Sequence, residues 1–237
     1  MKILLTVVCG LCCTAVAAGN QEGAGVALLE LYTSEGCSSC PPADGLLGQI
    51  AEEAQPGVFV LAYHVTYWDY LGWKDSFGNA AFDARQRAYA DALDDSVYTP
   101  QLIVNGKRVL VGSREGAARE ALREALAEKA RVTVSLSRDG TGTVVYRLEG
   151  ALPAKAVLHT ALTASPTAID VRRGENRGRR LKHTAVVRRY RHQPARSDGR
   201  VEPFGEPTLP SHGSVVVWVT DGPYGPVLGA AAVALKP

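Results

Sequence analysis

Past its opening segment the chain has little cysteine. Of five in 237 residues, Cys9, Cys12 and Cys13 lie within the first 13, leaving only Cys37 and Cys40. With no second cysteine pair and no well-spaced histidine pair, a structural zinc module lacks a full ligand set, and the remaining pair supplies at most half of one. No later segment is apolar over the ~20 positions a membrane helix needs. Internal repeats and low-complexity tracts are also missing. What remains is a globular composition, 46% hydrophobic and 21% charged, with enough apolar residues for a sizeable core.

The first 19 residues read as a secretory leader. Met1-Lys2 is a short positive start, Ile3 to Cys13 an apolar core, and Ala15-Val16-Ala17 a small-x-small cleavage pattern. The apolar core is too short for a membrane anchor, and a lipoprotein attached through one of the early cysteines is the alternative. Cleavage predicts a periplasmic or secreted protein. In such an oxidising compartment a lone cysteine pair can do redox chemistry or simply persist as a disulfide.

The net charge of +2 hides an asymmetry. Residues 20–130 carry 16 acidic against 9 basic residues, and residues 131–237 carry 8 against 16. The patterning changes at the same place. In the first half, Val26–Tyr32 and Val58–Val65 are nearly continuous apolar runs, as in buried strands, and Pro41–Glu53 has Leu46, Leu47 and Ile50 at helical spacing. Ala80–Leu93 and Glu115–Ala130 read as helices, and Leu102–Val104 turns at Asn105-Gly106 into Arg108–Val111. The order is β-α-β-α-β-β-α. Beyond residue 130 come short strands separated by Gly/Pro-rich turns, at Val132–Leu136, Thr143–Leu148, Lys155–Thr163, Thr184–Tyr190, Val215–Thr220 and Val227–Ala234. This predicts an α/β domain over 24–130, with an aromatic insertion at about 66–96, then a small antiparallel β-sandwich-like domain over 131–237. The linker falls near Lys129–Val132.

Cys37-Ser38-Ser39-Cys40 is placed where a strand meets a helix, with Pro41 in the first turn. A helix N-terminus favours negative charge, and the thiolate is the reactive form of cysteine. Cys37 is therefore the expected exposed nucleophile and Cys40 the resolving thiol, with the two serine hydroxyls able to donate to a thiolate at Cys37. A structural disulfide, half a zinc site, or a domain that binds without catalysing remain alternatives.

Tyr98-Thr99-Pro100 stands just before the strand Gln101–Val104, a position where proline costs the ladder no donor. With it, the whole order of elements resembles the thioredoxin fold, in which a cis-proline loop faces the cysteine pair across a substrate groove. That resemblance implies that Pro100 is the groove proline and that Thr99 offers backbone hydrogen bonds to an extended substrate and helps keep metal off the thiols. It also points to Glu30, near the place of a buried carboxylate that helps deprotonate the second cysteine, although one residue further from the pair. Gly36 before the first cysteine and Ser-Ser between the two depart from the thioredoxin pattern. Glu30–Asp44, Tyr67–Asp75 and Tyr98–Gln101 together resemble an uncharacterised family of secreted bacterial proteins, domain of unknown function 1223, and Arg173–Asn176 and Val186–Arg188 fit it too.

Tyr67, Trp68, Tyr70, Trp73 and Phe77 cluster in the insertion, where they can line a peptide groove, with Trp68 and Trp73 as substrate contacts, or form a satellite core under a loop. His64, on an apolar strand, reads as a satisfied buried histidine rather than a base, and Lys74 and Asp75 as a solvated pair. The basic stretch Arg172, Arg173, Arg177, Arg179, Arg180, Lys182, Arg188, Arg189 and Arg191 suits an anionic membrane surface or acidic partner, or docking against the acidic half. Export and the near lack of interleaved aromatics argue against nucleic acid. The expected function is an exported thiol–disulfide oxidoreductase acting on protein or small-molecule thiols and disulfides, recharged by a partner that can be a membrane redox protein. No metal or organic cofactor is implied. The alternative is a binding or assembly module in which Cys37–Cys40 is a structural disulfide.

Overall fold

The computed structural model describes residues 18–19, 23–139, 143–165, 167–201 and 212–235. The leader reading over 1–19 lies outside them except for Ala18–Gly19. In the first half the elements are β1 (Ala18–Gly19), β2 (Ala27–Thr33), α1 (Pro41–Glu52), β3 (Val58–His64), α2 (Ala80–Leu93), β4 (Gln101–Val104), β5 (Arg108–Val111) and α3 (Glu115–Ala127). The second half is all strand: β6 (Val132–Arg138), β7 (Val144–Gly150), β8 (Ala156–Ala164), β9 (Thr167–Asp170), β10 (Arg180–His183), β11 (Val186–Pro194), β12 (Asp198–Arg200), β13 (Gly213–Asp221) and β14 (Val227–Ala234).

The expected fold, a thioredoxin-like α/β domain followed by a separate small sandwich, is corrected by the strand pairing. The molecule is mostly β, with three α-helices among the described residues, and one nine-stranded mixed sheet runs through both halves in the order β1-β14-β13-β8-β11-β3-β2-β4-β5. The physical reason lies at β3. It pairs in parallel with β2 along seven residues, which leaves its other edge open. β11 closes that edge: Val186 pairs with Ala62, and the Ala62 N–H donates to the Ala185 carbonyl at 2.9 Å. An apolar edge strand left unpaired invites association with other chains, and here the protein's own later strand covers it.

Side-chain alternation builds three cores. Ala27, Leu29 and Leu31 of β2 face α1 and α3, whereas Leu28 and Tyr32 face the α2 side together with Tyr63, Phe82 and Tyr89. In β13, Val216 and Trp218 join this α2-side core, which therefore spans both halves. Val215, Val217 and Val219 point the other way, onto a three-stranded sheet of order β12-β7-β6. Gly229 of β14 allows the close approach of the two sheets, since a Cβ there would stand 2.0 Å from the Val132 carbonyl oxygen. The Asn105-Gly106 turn forms as expected, both residues at positive φ. Asn105 also clamps β2, accepting from the Leu28 N–H at 2.7 Å and donating to the Val26 carbonyl at 2.7 Å.

Candidate functional site

Cys40 is the N-cap of α1, and two prolines occupy the helix's first positions, where no N–H is missed. Cys37 and Cys40 form a disulfide with Cα atoms 5.4 Å apart. Ser39 Oγ lies 3.3 Å from Cys37 Sγ. Exposure differs from expectation. Both cysteines are fully buried, and only Ser38 and Ser39 reach solvent.

The cover comes from far along the chain. The β9–β10 connection brings Asn176 over the cysteine loop, where its Nδ2 donates to the Glu35 and Cys37 carbonyls, both at 2.9 Å. Beside it the Ser38 N–H donates to Glu175 Oε2 at 3.1 Å. Asn176 is completely buried. Gly174, at φ 73°, fits against Trp73, whose Cβ would be 3.2 Å from a side chain at that position. Sequence reasoning had Arg173–Asn176 only as part of a family resemblance.

Trp68 links the cysteine loop to the proline loop. A Cβ on Gly36 would stand 3.0 Å from Trp68 Cβ, and Trp68 Nε1 donates to Thr99 Oγ1 at 2.8 Å. Thr99–Pro100 is cis, Pro100 is buried, and its carbonyl accepts from the Gly112 N–H at 2.9 Å. The structure thus gathers Gly36–Cys40, Trp68 and Thr99–Pro100 in one place. Trp73 Nε1 donates to Glu35 Oε2 at 2.6 Å, so this ring is tied inward to a buried carboxylate. Tyr70, by contrast, is 78% exposed and lines nothing.

Glu30 lies elsewhere. It points to the α2 side of the sheet, away from α1, pairing with Arg85 at 2.7 Å and accepting from Tyr89 Oη at 2.6 Å. The strand alternation that buries it puts it on the opposite face from the Cys40 helix. Arg85, itself buried, in turn lies 4.4 Å from the ring centre of the half-buried Tyr190 and 4.9 Å from that of the buried Tyr89. Burial is what holds these tyrosines neutral, and Arg85 opposes it. Burial, then the Glu30 charge, raise the Tyr89 hydroxyl well above the usual phenol range.

On the α1 side the chain instead buries Thr33, Glu35, Asp44, His64, Asp75 and His183. Thr33 Oγ1 donates to Asp44 Oδ2 at 3.1 Å, and His183 Nδ1 is 3.8 Å from the same oxygen. The rings of His64 and His183 meet edge to face, centres 4.7 Å apart. His64 Nδ1 lies 3.0 Å from both Asp75 oxygens. Burial opposes charge on His64, but Asp75 outweighs it and raises the imidazole; in return His64 lowers the Asp75 carboxyl against its own burial. His64 is only half satisfied, for Nε2 has no hydrogen-bond partner among the described residues. Asp75 is buried rather than solvated. Its partner is His64 and not Lys74, which is exposed.

The basic stretch is mostly exposed. Arg180 pairs with Asp170 of its own hairpin at 3.4 Å, Arg179 donates to Asn176 Oδ1 at 2.9 Å, and Arg188 lies over the Phe77 ring at 5.3 Å.

Residues 28–219 match the family described as Protein of unknown function (DUF1223). The chain belongs to that family. All the motifs that carried the resemblance lie inside the matched residues. No curated protein matches in sequence. Among solved structures, a crystal structure of a protein from Agrobacterium tumefaciens is similar at 27% identity and TM-score 0.68, covering 90% of this chain and 96% of that one. HBP35 of Porphyromonas gingivalis shares the fold at 14% identity and TM-score 0.57, covering 90% of this chain and 76% of that one.

Proposed function

We propose that the protein is an exported thiol–disulfide oxidoreductase working through Cys37 and Cys40. The observation that carries this reading is a disulfide at the N-terminus of α1, joined through Trp68 to the Thr99–Pro100 loop and covered by the β9–β10 connection. The helix start favours a thiolate, and the Ser39 hydroxyl is in reach to donate to it. In the reduced form, the Cys37 thiolate attacks one sulfur of a substrate disulfide, giving a mixed disulfide and releasing a substrate thiolate that takes up a proton. Cys40 then attacks Cys37 Sγ, so that the Cys37–Cys40 bond forms and the second substrate thiol leaves. Two electrons pass to the substrate, and the opposite sequence runs when the protein is the oxidant. The leader-like segment Met1–Gly19 supports a setting outside the cytoplasm, in which a membrane redox protein or a small thiol would return the pair to its starting state.

Because both sulfurs are buried, access requires the tip at Gly174–Asn176 to lift. The same burial favours a second reading, a binding or assembly module with a stable disulfide. One experiment separates the two. The Cys40→Ala variant is expected to trap mixed disulfides through Cys37, and the wild-type pair to equilibrate with glutathione buffers. If the disulfide resists glutathione and no mixed species accumulates, the enzyme reading fails and the module reading stands.

A further inference from the structure

Glu35, His64 and Asp75 come from three separate stretches of chain, the β2–α1 loop, the end of β3 and the aromatic insertion. Each offers one donor atom within 4.8 Å of the other two, and all three residues are buried. We propose that these three side chains form a binding site for one divalent transition-metal ion of the zinc class.

The first argument is charge. Two carboxylates are buried close to one imidazole, and a buried carboxylate is costly unless compensated. Glu35 Oε2 is well supplied, accepting from Trp73 Nε1 at 2.6 Å, the Ser76 hydroxyl at 3.1 Å and the Ser76 N–H at 3.2 Å. Its Oε1 is equally buried and accepts no hydrogen bond among the described residues. A dication beside Oε1 would neutralise the two carboxylates and complete that oxygen's coordination.

The second argument is the donor set and its support. One imidazole and two carboxylates suit zinc, cobalt, manganese or iron in the divalent state. The ligands are already held by other groups, as metal ligands generally are. Asp75 accepts from the Glu35 N–H at 2.7 Å and the Phe77 N–H at 2.8 Å, and Trp73 and Ser76 fix Glu35. His183, neither of whose ring nitrogens is hydrogen-bonded among the described residues, packs on His64. The site uses no sulfur and does not depend on the thiol-exchange reading.

The test is cobalt(II) and zinc(II) titration of the full chain with its disulfide closed. One equivalent of cobalt is expected, with d–d absorption typical of nitrogen and oxygen donors and no sulfur-to-cobalt charge-transfer band. Glu35→Gln should weaken binding about 100-fold or more, and a Cys37→Ser/Cys40→Ser double variant should bind as wild type. Should Glu35→Gln fail to fold, histidine-ring NMR of the wild type decides: cobalt should broaden His64 and His183 while leaving His159 and His192 sharp. Absence of uptake, a sulfur band that vanishes with the cysteines, or broadening that spares His64 would overturn the site.

Discussion

At the scale of single residues, buried acids of the first half lie on both sides of the sheet, and strand alternation decides which side each β2 residue meets. Glu30 has an even position in β2 and meets Arg85, whereas Thr33, at an odd one, meets Asp44 next to the cysteine helix. Removing the Glu30 charge leaves Arg85 unpaired in a dry aromatic nest. Glu30→Gln is therefore expected to cost about 3–5 kcal/mol in chemical denaturation, while the pH profile of thiol exchange stays where it is. A shifted profile with unchanged stability would return the acid to the cysteine side. A sequence shows the period of β2 but not which face its helix will take, so proximity along the chain suggested the wrong role for Glu30. His64 was legible as buried but not as half satisfied. The signals that could have found its surroundings were Glu35, two residues before Cys37, and Asp75, an acid enclosed by aromatics.

At the scale of elements, local patterns were highly legible. The α2 span and the hairpin turn form where periodicity and Asn-Gly place them, with Asn79 capping α2 through the Ala81 N–H at 2.9 Å. The short strands β9, β10 and β12 were not seen, because their charged, half-exposed sequences carry no apolar run. Yet the β9–β10 hairpin is what covers the disulfide. Asn176→Ala removes both of its hydrogen bonds to the cysteine loop and loosens the cover. Reduction of the disulfide by a phosphine reagent should accelerate by about tenfold, equivalent to about 1.4 kcal/mol of easier opening, with little change in thermal midpoint. An unchanged reduction rate would show that the tip does not control access.

At the scale of the molecule, the two compositional halves suggested two bodies, and the strand pairing made one sheet. Acidic and basic excess reports on surfaces, not on which strands share a ladder. His159 lies in the α2-side core shared by both halves. It stacks on Trp218 at 5.0 Å and is bonded to Tyr190 Oη and Thr220 Oγ1, each at 2.7 Å. Burial first, then the Arg85 and His192 charges, hold its pKa well below the usual 6.5. The folded form keeps this imidazole neutral while the unfolded chain protonates it below about pH 6.5. Stability from this group is therefore complete above that pH and declines as pH falls toward the depressed folded value. Denaturation midpoints measured from pH 8 to 5 should fall, and His159→Gln should flatten the slope. A parallel slope in the variant would assign the loss to other groups.

Asn176 stands 139 positions after Cys37, the carbonyl it covers. During synthesis both thiols emerge long before their cover does, so an oxidant or a disulfide donor can reach them on the nascent chain. Once the later strands have joined the sheet, the same bond is shielded. The closing of the bond and any later reduction of it are therefore governed by different kinetics, one set before the later strands arrive and the other by the opening of a hairpin.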